Sequence, residues 1–520
     1  MCQLSARIRS TQGWEKLVDS GAKDMWRCEA GEAITIRTSS GPFQVQLSFT
    51  QIEYALDELS SYSALYDETS HCQVSCFDRI WETTVAASPT LLSTLNKDLD
   101  YVRSQRKCTD ANNITTDVVD PYLYPLVYGR TLIKNNPHCD LCLIPPPQVS
   151  EDVYGLSRNF AWIPTSFTVS PDALPLHVRA CSYISGIDPA LRDLYACVEE
   201  LISNAIPLFE HVLTDLSRDN PLYQRIPYDH AYIGWEWEEP EEPEHSDDEK
   251  GWFNYEREMH HWISTRPIVH PDIPPGGCPG DLQVRRSQIS LRGETVKVCT
   301  RIVDIDLKPG GPSYDGTPWH AAGMRNERIV AVAIQCLSTH NIAPLRVDFR
   351  MPVRCPSSLL PGGPEALSRI CGLNLNAASH QYVGTSLVRL GQTVVFPNIY
   401  QHRLTETCLE DSDKEGSMRV AMFYLVDPKL SDESGVLSTS VIPPQEIAWM
   451  RKALEDSLDV RVPTEIIDII LDFTEGLMNN NDALRYATLA RDEREVFCSA
   501  HDRDWFSRSF EAPRYMGIAY

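Results

Sequence analysis

Pro318-Trp319-His320-Ala321-Ala322-Gly323-Met324-Arg325-Asn326-Glu327 decides the reading of this chain, together with Pro397-Asn398-Ile399-Tyr400-Gln401-His402-Arg403 downstream. Each segment carries a histidine at the edge of a strand-like run. Two histidines so placed suggest two arms of one metal centre. A non-haem iron centre of the oxygenase type uses two histidines and a carboxylate on one face. The carboxylate normally sits two positions after the first histidine, and Ala322 stands there. Most of such a site is therefore written in the sequence, with one ligand missing.

The runs around these segments read as strands: Val296 to Leu307, Arg328 to Leu337, Leu345 to Val353, Ser386 to Leu390, Thr393 to Phe396 and Arg419 to Val426. Short strands with Gly/Pro turns and no long helices between them predict a sandwich or barrel rather than a βαβ sheet. The expected fold is α+β, with a double-stranded β-helix (jelly-roll) core over residues 282–430. Residues 1–150 read as mostly helical, with apolar residues at helical spacing over Phe49 to Leu65 and Ser88 to Arg106. Residues 151–235 are expected to pack a helical segment on the core, with Pro207 kinking or splitting a helix over Leu191 to Leu216. The acid-rich run in 236–250 predicts a solvated, disordered loop. Residues 431–520 read as a C-terminal helical extension. One of its helices, opened by Pro463-Thr464-Glu465, carries Ile466, Ile467, Ile469, Ile470 and Leu471 and should pack on the core.

The 520 residues suffice for a large core, and 42% apolar with 23% charged residues is ordinary for a soluble globular protein. A net charge of -25 argues against nucleic acid and against anionic membrane surfaces as partners. No apolar run has membrane-spanning length, and Met1 to Trp14 lacks a secretory apolar core, so a cytoplasmic location is expected. Among the 16 cysteines, Cys72 and Cys76 with His71, and Cys139 and Cys142 with His138, invite a zinc reading. Their unequal spacing, and the proline run after Cys142, favour reduced, mostly buried thiols instead.

An iron centre that uses 2-oxoglutarate needs a basic residue for the far carboxylate of that cosubstrate, preferably arginine because its fork binds bidentately. Arg419, on the strand after His402, is the candidate. Tyr314, Trp319 and Asn326 are candidates for surrounding the metal and cosubstrate, and Asp315 and Glu327 are the carboxylates nearest His320 in sequence.

Several long motifs resemble domain-of-unknown-function family forty-two forty-six (DUF4246), a large and mainly fungal group. They are Asp120 to Thr131, Ile206 to Leu216, Tyr314 to His320, Asn326 to Ala331, Phe396 to Arg403 and Tyr424 to Pro428. The resemblance implies a jelly-roll protein like the Fe(II)/2-oxoglutarate oxygenases, with His320 and His402 as metal ligands and a small metabolite as substrate. In the family's usual pattern the tryptophan–histidine pair is followed by a variable residue, a glutamate and a glycine. The glutamate falls on Ala322, and Met418 stands where a basic residue is expected, with Arg419 following. Glu327 belongs to the family's Asn-Glu pair, which implies a structural role for it. Three readings of position 322 follow: an oxygenase with water or another acid such as Asp315 as third ligand, a halogenase with halide in the vacated place, or a non-catalytic binding or scaffold protein.

Overall fold

The computed structural model describes all residues except 19–20, 106–112, 135–140, 148–154, 173–174, 219–224, 226–239, 266–271, 274, 281, 283–287, 354–367, 370, 375, 430–440, 443–446, 458–461 and 510–520. Twelve strands position the site. In chain order they are β1 (Cys72–Val74), β2 (Trp81–Thr83), β3 (Thr115–Val119), β4 (Thr165–Val169), β5 (Val178–Ala180), β6 (Thr295–Leu307), β7 (Ile329–His340), β8 (Arg346–Pro352), β9 (His380–Leu387), β10 (Thr393–Pro397), β11 (Gln401–Leu404) and β12 (Gly416–Val426). The larger sheet runs β5-β4-β6-β12-β7-β10-β2-β1, with β3 also paired to β6. The smaller runs β9-β8-β11. All these ladders are antiparallel, and among the described residues none joins the two sheets, so no closed barrel forms.

The period-two alternation of β12 explains how the sheet is covered on both sides. Met418, Val420, Met422, Tyr424 and Val426 face an inner core shared with Val347, Phe349, Val383 and Leu404 of the smaller sheet. Ala421, Phe423 and Leu425 face a second core made with helices. Those helices are α1 (Phe49–Ser63), α2 (Pro89–Gln105) and α3 (Arg192–Leu216). Ser48 and Gln51 form a reciprocal capping box that starts α1. Buried Leu201, Ile202, Ile206, Phe209 and Val212 anchor α3 on this core, each contributing about 1.5–3 kcal/mol on burial.

Several sequence expectations need correcting. Pro207 does not split α3, which runs through it as one helix. The N-terminal region is not merely helical: β1, β2 and β3 extend or pair with the larger sheet. These strands are too short for periodicity to reveal. A helix at Glu249–Thr265 follows the acidic run, of which 236–239 lie outside the described residues and 240–248 are irregular and largely exposed. The helix at Thr464–Phe473, α4, buries only Ile467 and Leu471, and leaves Ile466, Ile469, Ile470 and Phe473 exposed. Asn479 caps α5 (Asn480–His501) by accepting from the Asp482 amide. His138 and Cys139 of the zinc reading lie outside the described residues, whereas Cys72 and Cys76 are core thiols, each pushed up to about 12 by burial. No described helix is long and apolar enough to cross a membrane.

Candidate metal and ligand site

His402 lies on β11, whose alternation sends His402 and Leu404 inward. Gln401 and Arg403 engage Arg350 and Asp348 of β8 instead. Phe396 of β10 packs on the His402 ring at 4.7 Å. His320 meets His402 as an isolated antiparallel bridge, each amide donating to the other's carbonyl at 3.1 and 3.0 Å. This backbone pairing brings the two rings to 4.3 Å between centroids, inclined by 49°.

Both imidazoles are held in the neutral form that ligates metal. Burial pushes the His402 pKa well below its ordinary value, and His320 adds to that. Burial also lowers that of His320; the Pro318 carbonyl opposes the shift, and the charges of Arg301 and Arg494 reinforce it. The Pro318 carbonyl can only accept, so the Nδ1 of His320, at 2.9 Å, carries the proton, and its Nε2 keeps a free lone pair. The Nδ1 of His402 is buried with no hydrogen-bond partner among the described residues.

The third position is built differently. Ala322 is buried with its methyl in the inner core. Its amide donates to Asn398 Oδ1 at 2.7 Å, and its carbonyl accepts from Asn398 Nδ2 at 2.7 Å. Asn398 also donates to the Ile329 carbonyl, so one side chain ties the His320 loop to β7. Neither nearby carboxylate replaces the missing ligand. Glu327 is buried, pairs with Arg494 and accepts from the amides of Trp162 and Met324. Asp315 is exposed. No group of three His, Cys, Asp or Glu side chains among the described residues can hold a metal ion. The residues present therefore fit a divalent metal at two positions and do not fit the third.

The other sequence candidates separate by strand face. Arg419 does not join the histidines. It lies on the helix-facing side of β12, next to Met418, which faces inward. Its Nε and Nη2 grip Asp304 of β6 at 2.6 and 2.8 Å, and its Nη1 reaches Asn96 of α2. Asn326 is taken up as a clasp, donating to the Phe160 carbonyl and the Tyr128 hydroxyl. Tyr314 does belong to the inner core. Trp319 turns away and lies between Arg350 and Arg403, at 4.5 and 5.0 Å from its ring. Sequence reasoning missed Asn398, Arg301 and Arg494. For Arg301 a signal existed, since it shares parity with Cys299, Val303 and Ile305 on a strand that was recognised.

The profile of DUF4246, a protein of unknown function, matches residues 50–453. The chain belongs to this family. No curated protein matches it. Among solved structures, the Fe(II)/(alpha)ketoglutarate-dependent dioxygenase TqaL aligns over 82% of this chain and 91% of its own, at 7% identity and TM-score 0.27. IDO from Bacillus thuringiensis aligns over 26% of this chain at 11% identity and TM-score 0.16; the match spans only 47% of IDO. A bsmA homolog from Methylobium petroleophilum PM1 aligns over 54% of this chain and 76% of its own, at 12% identity and TM-score 0.19. TM-scores this low carry no fold assignment.

Proposed function

We propose that this DUF4246 protein is an oxygenase-like jelly roll acting on a small metabolite, with its metal centre reduced to His320 and His402. The carrying observation is the reciprocal His320–His402 bridge, which holds two neutral imidazoles side by side. Leaving the Nδ1 of His402 buried and unpartnered is costly, and a purely structural pair would gain nothing from it. The strand order β6-β12-β7-β10 facing β9-β8-β11, with the His320 segment beside β11, supports the jelly-roll reading. A bound Fe(II) would supply Lewis-acid and one-electron chemistry. The chain's own part is to present two imidazole lone pairs, to fix the His320 tautomer through Pro318, and to keep water from the inner face with Phe396, Tyr314 and Tyr424. The third metal position is then open to water or an exogenous anion.

Ala322→Glu tests this reading. Under anaerobic Fe(II) titration, wild type should bind weakly and the variant at least about tenfold more tightly, because a carboxylate adds charge neutralisation to two neutral ligands. Unchanged affinity would remove position 322 from the metal's surroundings. A second reading, a non-catalytic binding protein, is favoured by the fixed, apolar setting of Ala322. Failure of wild type to retain iron with 2-oxoglutarate present would select it. A visible band that moves on adding chloride would instead select halogenation.

A further inference from the structure

We infer that Arg301 of β6 receives the carboxylate of a small organic acid on the inner face. The inference rests on the reading of the inner face as the ligand side. On β6, Cys299, Val303 and Ile305 belong to the inner core, while Val296, Val298 and Ile302 belong to the helix-facing core. Arg301 shares the inner parity, opposite Met422 of β12. Its charge is felt at His320 and at Tyr314.

Its hydrogen bonding leaves room for a ligand. The Nε–H donates to Asp117 Oδ1 at 2.7 Å. The Tyr424 hydroxyl donates to Met422 Sδ at 3.2 Å, which leaves its oxygen to accept from the guanidinium it contacts. With Nε given to Asp117 and an Nη engaged by Tyr424, the remaining Nη–H groups are the ones that can meet a carboxylate. The contrast with Arg419 decides between the two arginines. The Arg419 side chain is 6% exposed with its fork filled by Asp304, whereas that of Arg301 is 30% exposed. Tyr424, which contacts Arg301, stands 5.0 Å from Trp162, and the Arg494 guanidinium lies 4.0 Å over the Trp162 ring. Asp117 holds Nε and partly neutralises the guanidinium, and it also faces Arg491 of α5 at 3.5 Å.

The test titrates 2-oxoglutarate, and separately phenylacetate and hexanoate, into metal-free full-length protein, with tryptophan fluorescence as readout. At least one acid should saturate the signal. Arg301→Gln should weaken it by about tenfold or more, since a charge-assisted pair is lost. Arg301→Lys should recover part of that loss, and Asp117→Asn should tighten binding by removing a neutralising charge. Saturation by 2-oxoglutarate alone identifies the acid as a cosubstrate; saturation by a monocarboxylate identifies a substrate. Absence of saturation by every acid, or equal affinity in wild type and Arg301→Gln, overturns the inference. The metal reading fails separately: carboxylates would still bind through Arg301 in protein whose iron affinity Ala322→Glu leaves unchanged.

Discussion

Replacing Arg419 by alanine should unfold the protein more readily without touching ligand affinity. Its side chain is 6% exposed and that of Asp304 4%, so the pair is buried rather than solvent-screened. The substitution removes two hydrogen bonds to Asp304 and the contacts to Asn96. Asp304 would be left as a buried carboxylate, a situation that costs about 3–5 kcal/mol. Two features set the value within that range. Arg103 of α2 keeps its bond to Asp304 at 2.8 Å, which lowers the cost. The Arg419–Asp100 contact adds little, because Asp100 is 71% exposed. The expected loss is therefore near the lower end, about 3 kcal/mol. Urea denaturation read by circular dichroism measures it as a lower midpoint at unchanged slope. A loss below about 1 kcal/mol would refute the argument that Arg419 ties β6 and β12 to α2. Weaker 2-oxoglutarate binding with unchanged stability would return Arg419 to the ligand site.

Two other expectations follow from buried charge. Glu327→Gln leaves Arg494 buried without its carboxylate and should cost about 3–5 kcal/mol, seen as a lower midpoint; an unchanged midpoint would show that the Trp162 and Met324 amides alone hold this position. Stability should also fall with acid. Burial, the largest influence on each, lowers the pKa of His320, His380 and His402 below the ordinary 6.5, so each contributes stability that is full above 6.5 and lost as pH falls from there toward the folded value. In that window each fully titrating group contributes up to about 1.4 kcal/mol per pH unit. Urea midpoints that stay flat from about pH 7 to 5 would contradict the neutral assignment.

The strands were legible where alternation or β-branched runs were long enough. Val296 to Leu307 and Arg419 to Val426 were marked by composition, and the structure extends them only at their ends. β11, which carries His402, is not legible as a strand, because four residues give periodicity nothing to repeat. Parity was the larger failure. Its place after His402 points to Arg419, but adjacent residues on a strand point to opposite faces, and Met418 takes the inward one. Asn398 could not be found at all, since its role depends on meeting the Ala322 backbone through tertiary packing.

In the proposed metal centre, Glu327 cannot stand in for an acid at 322. It lies near His320 in sequence and is buried, yet its oxygens are committed to Arg494 and to two backbone amides. Arg494 comes from α5, beyond residues 50–453, where its guanidinium lies 4.0 Å over the Trp162 ring. Swinging Glu327 toward the histidines would strand that buried cation and two amides together, at a cost of several kcal/mol, more than a single additional metal ligand offsets at modest metal concentration. In the proposed metal centre, a third ligand would therefore come from solution, or from a side chain introduced at 322 itself.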